Sequence, residues 1–407
     1  MTLTAATDEG PTAALTEPRM ICHRVGGMKP FLAMDILEHA QELERAGEHV
    51  IHLELGEPDF DTPQAIKEAG IAAIRRGDTH YTHSLGAPRL REAISEHYAR
   101  TYGIDPPHPD RVLITSGSSP AFLVAMSTLL ESGDELILSD PHYACHPNFV
   151  RYLGATPRTI PVFEDDGFQY RPHDIRAALT SRTKAILINS PANPTGTLLA
   201  PERMAEIAEL AAAAASHPWI FSDEIYHGLV YQGRARSILE FTDRCLVFNG
   251  FSKLFAMTGW RLGYVIVPRD LVRPMQTMLQ NFFISASSIA QAAAYAALTD
   301  PAVEADVAAM VREYRERRLS MLAGLRKLGF GIAAEPTGAF YVFANAGRFS
   351  SDSNRLARDI LEKAKVGVTP GVDFGPHGEG YLRFSYANSL ENIGEGLRRI
   401  GEYLAGR

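Results

Sequence analysis

The chain has 407 residues, 45% of them hydrophobic and 22% charged, and a formal net charge of -8. One hydrophobic core stops growing at roughly 250–300 residues, so two domains are expected. Scattered Lys and Arg under a negative net charge argue against a nucleic-acid surface, leaving cationic chemistry to a small local pocket.

Residues 1–18 mix Asp8, Glu9 and Glu17 with Gly and Pro. They lack the basic start and apolar block of a signal peptide, so residues 1–27 read as a flexible N-terminal arm. Cys22, Cys145 and Cys245 are widely spaced and contain no Cys-x-x-Cys pair, which suits a reducing cytoplasm and argues against a disulfide framework. No apolar run reaches the roughly 20 residues of a membrane helix, and a cytoplasmic protein is expected.

From about residue 62 a helical pattern, a short apolar run and a turn alternate, the rhythm of an α/β protein with a mostly parallel sheet between helices. Thr62 with Pro63 can cap and begin a helix whose inner face is Ile66, Ala69 and Ala73, and Gly77 can end it. Residues 112–115 read as a strand entering Ser116-Gly117-Ser118, with Pro120 in the first turn of the helix that follows. Residues 136–138, 185–188, 219–221, 246–248 and 264–267 are apolar at consecutive positions, as buried parallel strands are. After about residue 299 long helices and a few strands take over: residues 305–328, 339–344, 354–364 and 382–386. The last helix has Asn388 as a candidate N-cap and Ile393, Leu397, Ile400 and Leu404 on one face. Residues 62–298 are therefore expected to form a large domain, and residues 28–61 with 299–407 a smaller α+β domain.

Ligands of open α/β sheets bind beyond the carboxyl ends of strands, which directs the search to the residues that close each apolar run. Lys253, just past residues 246–248, can form a Schiff base there, although a lone lysine is ordinarily a solvated surface charge. Asp223 closes residues 219–221 and can either keep a pyridine nitrogen protonated or cap a helix. Asn193-Pro-Thr-Gly196 follows residues 185–188 and is by itself a good turn. Gly117 and Ser118 at a helix N-terminus offer amide donors and the positive end of a dipole to a phosphate.

Four motifs then converge in order: Leu55-Gly-Glu-Pro-Asp-Phe60, Asn193-Pro-Thr-Gly196, Asp223-Glu-Ile-Tyr226, and Ser252-Lys253 with Gly259-Trp-Arg-Leu-Gly263. With them the chain resembles the class I and II aminotransferases of the fold-type I pyridoxal-phosphate enzymes, from about Leu53 onward. The resemblance implies that Lys253 forms a Schiff base with pyridoxal 5'-phosphate and then moves a proton between the substrate α-carbon and the cofactor. It implies that Asp223 pairs with the pyridine nitrogen, that Tyr226 and Asn193 bond the phenolic oxygen, and that Tyr143 stacks on the ring. Ser116, Gly117, Ser118, Ser252 and Arg261 would hold the phosphate, with one hydroxyl fewer because Gly250 stands where relatives often carry Ser. Arg383, with the Gly56 amide beside it, would grip the substrate α-carboxylate. Tyr81 would reach the phosphate of a second subunit, making a homodimer with shared sites.

The implied reaction moves an amino group from an L-amino acid to a 2-oxo acid, 2-oxoglutarate being the expected acceptor, by a ping-pong mechanism. The motifs equally fit carbon–sulfur β-lyases and γ-eliminating cyclopropane-forming synthases, since one scaffold serves all. An effector-sensing regulator with a DNA-binding head is disfavoured, because fewer than 62 residues precede the α/β region and no basic helix-turn-helix is visible. His142 and His146, flanking Cys145, lack an acidic partner pattern and are read as ordinary loop and helix residues, with no metal expected. Trp260 is read as a packing residue that positions Arg261. The substrate side chain is expected to meet residues 26–32 and 281–287, where Lys29 is the one candidate cation for a distal carboxylate.

Overall fold

The structure is a computed structural model describing residues 22–406; residues 1–21, most of the expected arm, and Arg407 lie outside the described residues. Its strands are β1 (Ile51–His52), β2 (Val112–Thr115), β3 (Glu135–Asp140), β4 (Thr156–Pro161), β5 (Thr183–Asn189) and β6 (Trp219–Asp223). They continue with β7 (Cys245–Gly250), β8 (Gly263–Ile266), β9 (Tyr341–Asn345), β10 (Val366–Gly367), β11 (Thr369–Pro370) and β12 (Tyr381–Ser385).

Seven of these form one sheet in the order β2-β8-β7-β6-β5-β3-β4. Side chains alternate across it: Ile186, Ile220 and Val247 enter one apolar layer, and their successors Leu187, Phe221 and Phe248 the opposite one. Burial on both faces explains why these strands are apolar at consecutive positions before their polar carboxyl ends. Two expectations change. The strand at residues 264–267 is β8, which runs antiparallel to both β2 and β7; the segment 251–262 that joins it to β7 contains no α-helix, only the single turn Thr258–Trp260, to carry the chain back for a parallel return. The edge strand β4 presents no apolar run in the sequence, because it carries Pro157 and Pro161 and little burial, which an edge tolerates.

A third apolar cluster joins Ile51 and Leu53 to Val342, Leu382 and Phe384 and to Ile393, Leu397 and Ile400 of the helix Leu390–Ala405. Around it β11, β12 and β9 form an antiparallel sheet and β1 pairs with β10. Gly77 ends the helix Gln64–Arg76 in the left-handed region, as predicted. Thr62 does not cap that helix: Pro63 occupies the cap position, and the Thr62 hydroxyl donates to Ala256 O at 2.6 Å. The cap of the last helix is Ser389, whose hydroxyl accepts from Asn392 N, while Asn388 donates to His52 O and accepts from Ser389 N. No helix among the described residues is long and apolar enough to cross a membrane.

His52 of β1 lies between two carboxylates, Glu54 at 2.6 Å and Glu44 at 3.1 Å, and hydrogen bonding to Glu54 raises its pKa from 6.5 to about 9. The folded state thus binds a proton the unfolded chain releases. Its stabilisation is complete below about pH 6.5 and lost as pH rises through about 9. Because Glu44 sits in the last turn of the helix Leu32–Arg45, the pair ties that helix to β1. The urea midpoint of His52→Gln is expected below that of the parent at pH 6, with the gap closing by pH 10; an equal gap at both would show that the charge is not what stabilises.

Candidate active site

The carboxyl ends of β5, β6 and β7 open on one cavity of about 490 Å³, bounded on the other side by residues 31–37, residues 54–57 and Arg383 of β12. Its volume lies within the range of small-molecule sites. Asp223 ends β6, is 5% exposed and lines the cavity, whereas its sequence neighbour Glu224 is engaged by Ser222, Ser237, Ile238 and Tyr98 away from it. One Asp223 oxygen accepts from Ile225 N at 3.3 Å, and the other lies 3.4 Å from Nε2 of the buried His146. No helix starts at Asp223, so the cap reading falls.

Lys253 follows β7, and its ammonium donates to Gly56 O at 2.5 Å. Removal from water lowers its pKa from 10.5 to about 8, a value that gives an appreciable neutral, nucleophilic fraction near neutral pH. Arg383, in the central strand of the antiparallel sheet, is 2% exposed rather than a surface strand residue. Its guanidinium donates to Asn193 Oδ1 at 3.0 Å, Glu54 O at 2.6 Å and Thr369 Oγ1 at 3.1 Å, and sits 4.4 Å from the Tyr341 ring centroid. Its Nε has no hydrogen-bond partner. Asn193 is thereby fixed at both ends, its backbone N–H donating to Asn189 Oδ1. Tyr226 shares a 2.8 Å hydrogen bond with the Tyr341 hydroxyl, and burial raises its pKa.

At the opposite end, Gly117 (φ +105) precedes the helix Ser118–Leu129. A Cβ on Gly117 would lie 3.0 Å from Arg261 Nη2, and one on Gly263 would lie 2.8 Å from Ser118 N. Two glycines therefore let Arg261 lie against a helix N-terminus, with Ser118 and Ser252 also on the cavity wall. Amide donors, dipole and guanidinium together make an anion cradle. Gly250 is equally constrained: a Cβ there would meet Leu262 O at 3.1 Å, so a larger residue at that position would crowd the β7–β8 pair.

Of the expected site residues, Gly56, Ser118, Tyr143, Asn193, Asp223, Tyr226, Ser252, Lys253, Arg261 and Arg383 line this one cavity. Ser116 and Gly117 stand beside it without lining it, and Ser119 lines it instead. Tyr81 is 81% exposed and outside it. Of residues 26–32 only Phe31 lines it, joined by Ala33, Met34 and Leu37; residues 281–287 do not. Lys29 is held through its backbone by Asn148 and does not line it. Trp260 packs its ring against Gly70 and donates to Thr62 Oγ1 at 3.1 Å, consistent with the expected packing role. No cluster of metal-ligating residues exists among the described residues. His146 and Tyr341 were missed. A lone buried His and a strand Tyr give no sequence signal; only the fold sets them beside Asp223 and Tyr226.

A partly buried lysine, a buried carboxylate and an anion cradle around one cavity are what a phosphate-bearing carbonyl cofactor requires, so these residues fit pyridoxal phosphate. The sequence profile of class I and II aminotransferases matches residues 48–400. The chain is 44% identical over 388 residues to a (5-formylfuran-3-yl)methyl phosphate transaminase of Methanocaldococcus jannaschii, covering 95% of this chain and 100% of that one. It is 37% identical to a valine–pyruvate aminotransferase of Mycobacterium tuberculosis, covering 93% and 97%. The solved structure of Thermus thermophilus aspartate aminotransferase with maleate superimposes with a TM-score of 0.90 at 36% identity, covering 95% and 100%. The chain belongs to the class I and II aminotransferases, an aspartate-aminotransferase-like fold-type I protein. It is an enzyme that transfers an amino group, and the family implies pyridoxal phosphate.

Proposed function

We propose that this transaminase holds pyridoxal 5'-phosphate with its aldehyde carbon at Lys253 Nζ, and passes an amino group from an L-amino acid to a 2-oxo acid in two half-reactions. The observation that carries the reading is Lys253 itself, with a pKa near 8, in one cavity with Asp223 and Arg383. When bound, the cofactor supplies an electron-withdrawing ring that lets the substrate Cα–H bond break. Asp223 keeps the ring nitrogen protonated, and the nearby His146 steadies that carboxylate. Tyr226 and Asn193 would bond the phenolic oxygen, and Tyr143 would pack on the ring. Ser118, Ser252 and Arg261 on the cavity wall would hold the phosphate, with Ser116 and Gly117 behind them shaping the turn into the helix N-terminus. Arg383, held 4.4 Å from the Tyr341 and 4.9 Å from the Phe374 ring centroid, would take the substrate α-carboxylate with the Gly56 amide beside it. This grip would turn the Cα–H bond toward Lys253, whose amine would move that proton from Cα to the former aldehyde carbon within the first half-reaction and in the opposite direction in the second.

We further place the protein in the cytoplasm as a homodimer, in which the exposed Tyr81 completes the phosphate site of the second copy. Mixing Lys253→Ala with Tyr81→Ala protein under subunit exchange is expected to restore activity, since one site of each mixed dimer keeps both residues. Exchange without recovery would place Tyr81 outside the neighbouring site.

The relatives named above act on unlike side chains, as their names state, so family membership leaves the donor open. Steady-state rates with 2-oxoglutarate, the first acceptor to try, or another 2-oxo acid, should give parallel double-reciprocal lines. Sustained ammonia and pyruvate release from a cysteine-type substrate with no 2-oxo acid added would instead make the protein a lyase.

A further inference from the structure

Three cations line the cavity among the described residues: Lys253, Arg261 and Arg383. The roles just proposed occupy all three, on the cofactor aldehyde, the phosphate and the α-carboxylate. A donor with a second carboxylate, such as aspartate or glutamate, therefore finds no free guanidinium or ammonium among the described residues that line the cavity. The remaining lining carries a run of apolar side chains, Phe31, Met34 and Leu37 from one segment with Leu55 and Phe149 from others, and uncharged polar members such as Ser119 and Thr258 offer hydroxyls but no cation. The other charged side chains on the cavity wall, apart from Asp223, are acidic: Glu54 and Glu57 on either side of Leu55-Gly56, the Glu57 carboxylate accepting from the Thr258 hydroxyl.

The wall is fixed rather than incidental. The helix Leu32–Arg45 has no cap of its own, and Asp373 supplies one from across the site, accepting from Leu32 N at 2.9 Å and Ala33 N at 3.1 Å. Asn148 clamps the preceding turn by accepting from Lys29 N at 3.1 Å and donating to Lys29 O at 3.0 Å. Phe31 rests edge-on to Tyr143 with centroids 6.0 Å apart. Phe31, Met34 and Leu37 are thus held at the mouth of the cavity by polar contacts on either side.

We propose that the side-chain subsite selects amino acids with uncharged, apolar side chains, and that the acceptor is a monocarboxylic 2-oxo acid of the same kind rather than 2-oxoglutarate. Both half-reactions use one subsite, so one rule ranks donors and acceptors. The donor Cα gives up its amino group and becomes the carbonyl carbon of the product, and the acceptor carbonyl carbon receives that group, with no net oxidation. Methylenes gain by leaving water against Phe31, Met34 and Leu37. A second carboxylate loses its hydration there without a cation to replace it, beside the like charge of Glu57. The inference rests on the assignments of Lys253, Arg261 and Arg383 made above.

The test uses the full-length, pyridoxal-phosphate-loaded enzyme in single-turnover half-reactions with L-alanine, L-valine, L-leucine, L-phenylalanine, L-aspartate and L-glutamate. At least one apolar donor should exceed both dicarboxylic donors in specificity constant by about tenfold or more. In Met34→Arg the ratio of aspartate to the best apolar donor should rise by about tenfold, because a cation then reaches the wall. Aspartate or glutamate equalling the best apolar donor would overturn the inference while leaving the transaminase reading intact, and would point to a cation supplied by a second copy of the chain. An unmoved ratio in Met34→Arg would overturn the assignment of the wall. Conversion by no donor at all would remove both this inference and the reading beneath it.

Discussion

Lys253→Ala is expected to remain folded and to lose transamination by at least about four orders of magnitude, since both covalent attachment and the proton-moving base leave with one side chain. The structure makes the loss specific. Lys253 Nζ meets the Gly56 carbonyl and lies 5.9 Å from the Phe340 ring centroid, and because burial disfavours its ammonium, truncation should cost little stability. Loaded wild-type protein should be yellow, and borohydride should bleach it and leave a pyridoxyl group on the Lys253 peptide. The pH dependence follows from the lowered pKa. With the ammonium titrating near 8 instead of 10.5, the rate at which apo-protein captures pyridoxal phosphate should rise with pH and level off above about 8. Capture still climbing steeply between pH 9 and 10 would mean an ordinary, solvated lysine. Full activity in Lys253→Ala would end the assignment.

How far the sequence alone could reach is seen in the contrast between strand ends and cavity walls. Asp223, Asn193 and Lys253 were legible because consecutive apolar residues betray buried strands, and the chemistry of such a sheet sits one step past each run. The direction of β8 was not, because an apolar run has the same pattern whichever way the strand points. Arg383 could be assigned through the family resemblance, but its burial against Tyr341 and Phe374 depends on residues from distant segments meeting over β12. The pocket wall was half legible. Residues 26–32 were expected there, yet the helix Leu32–Arg45 supplies Met34 and Leu37, because Asp373, more than 300 residues on, sets where that helix begins. His146 was set aside with His142 on sound grounds, since two histidines four apart carry no metal signal. What sets them apart is tertiary: His142 is turned onto Ser139 O at 2.8 Å, and His146 onto Asp223.

Asp223→Ala is expected to cost about two to four orders of magnitude in the half-reaction rate, the kinetic equivalent of the roughly 3–5 kcal/mol lost when one partner of a buried charge pair is removed. The competing account is structural: as a turn residue accepting from Ile225 N, Asp223 would contribute only about 1 kcal/mol of stability, as a capping side chain does. The two accounts separate in Asp223→Asn, which keeps a side-chain oxygen for Ile225 N but cannot hold a positive charge on a ring nitrogen. If the carboxylate serves the cofactor, the Asn variant should unfold at nearly the parental temperature and still be slower by at least about a hundredfold. It should also shift the absorbance of the bound cofactor. If the residue serves only the turn, Asn should be almost fully active and Ala merely less stable. His146 adds an internal check, because its ring lies 3.4 Å from the same carboxylate and makes no hydrogen bond elsewhere. His146→Phe should therefore slow the half-reaction by a smaller factor than Asp223→Asn, and in the double variant the two losses should not add, since both act on one charge. Additive losses would place His146 outside the cofactor's charge network, in the core with Phe122.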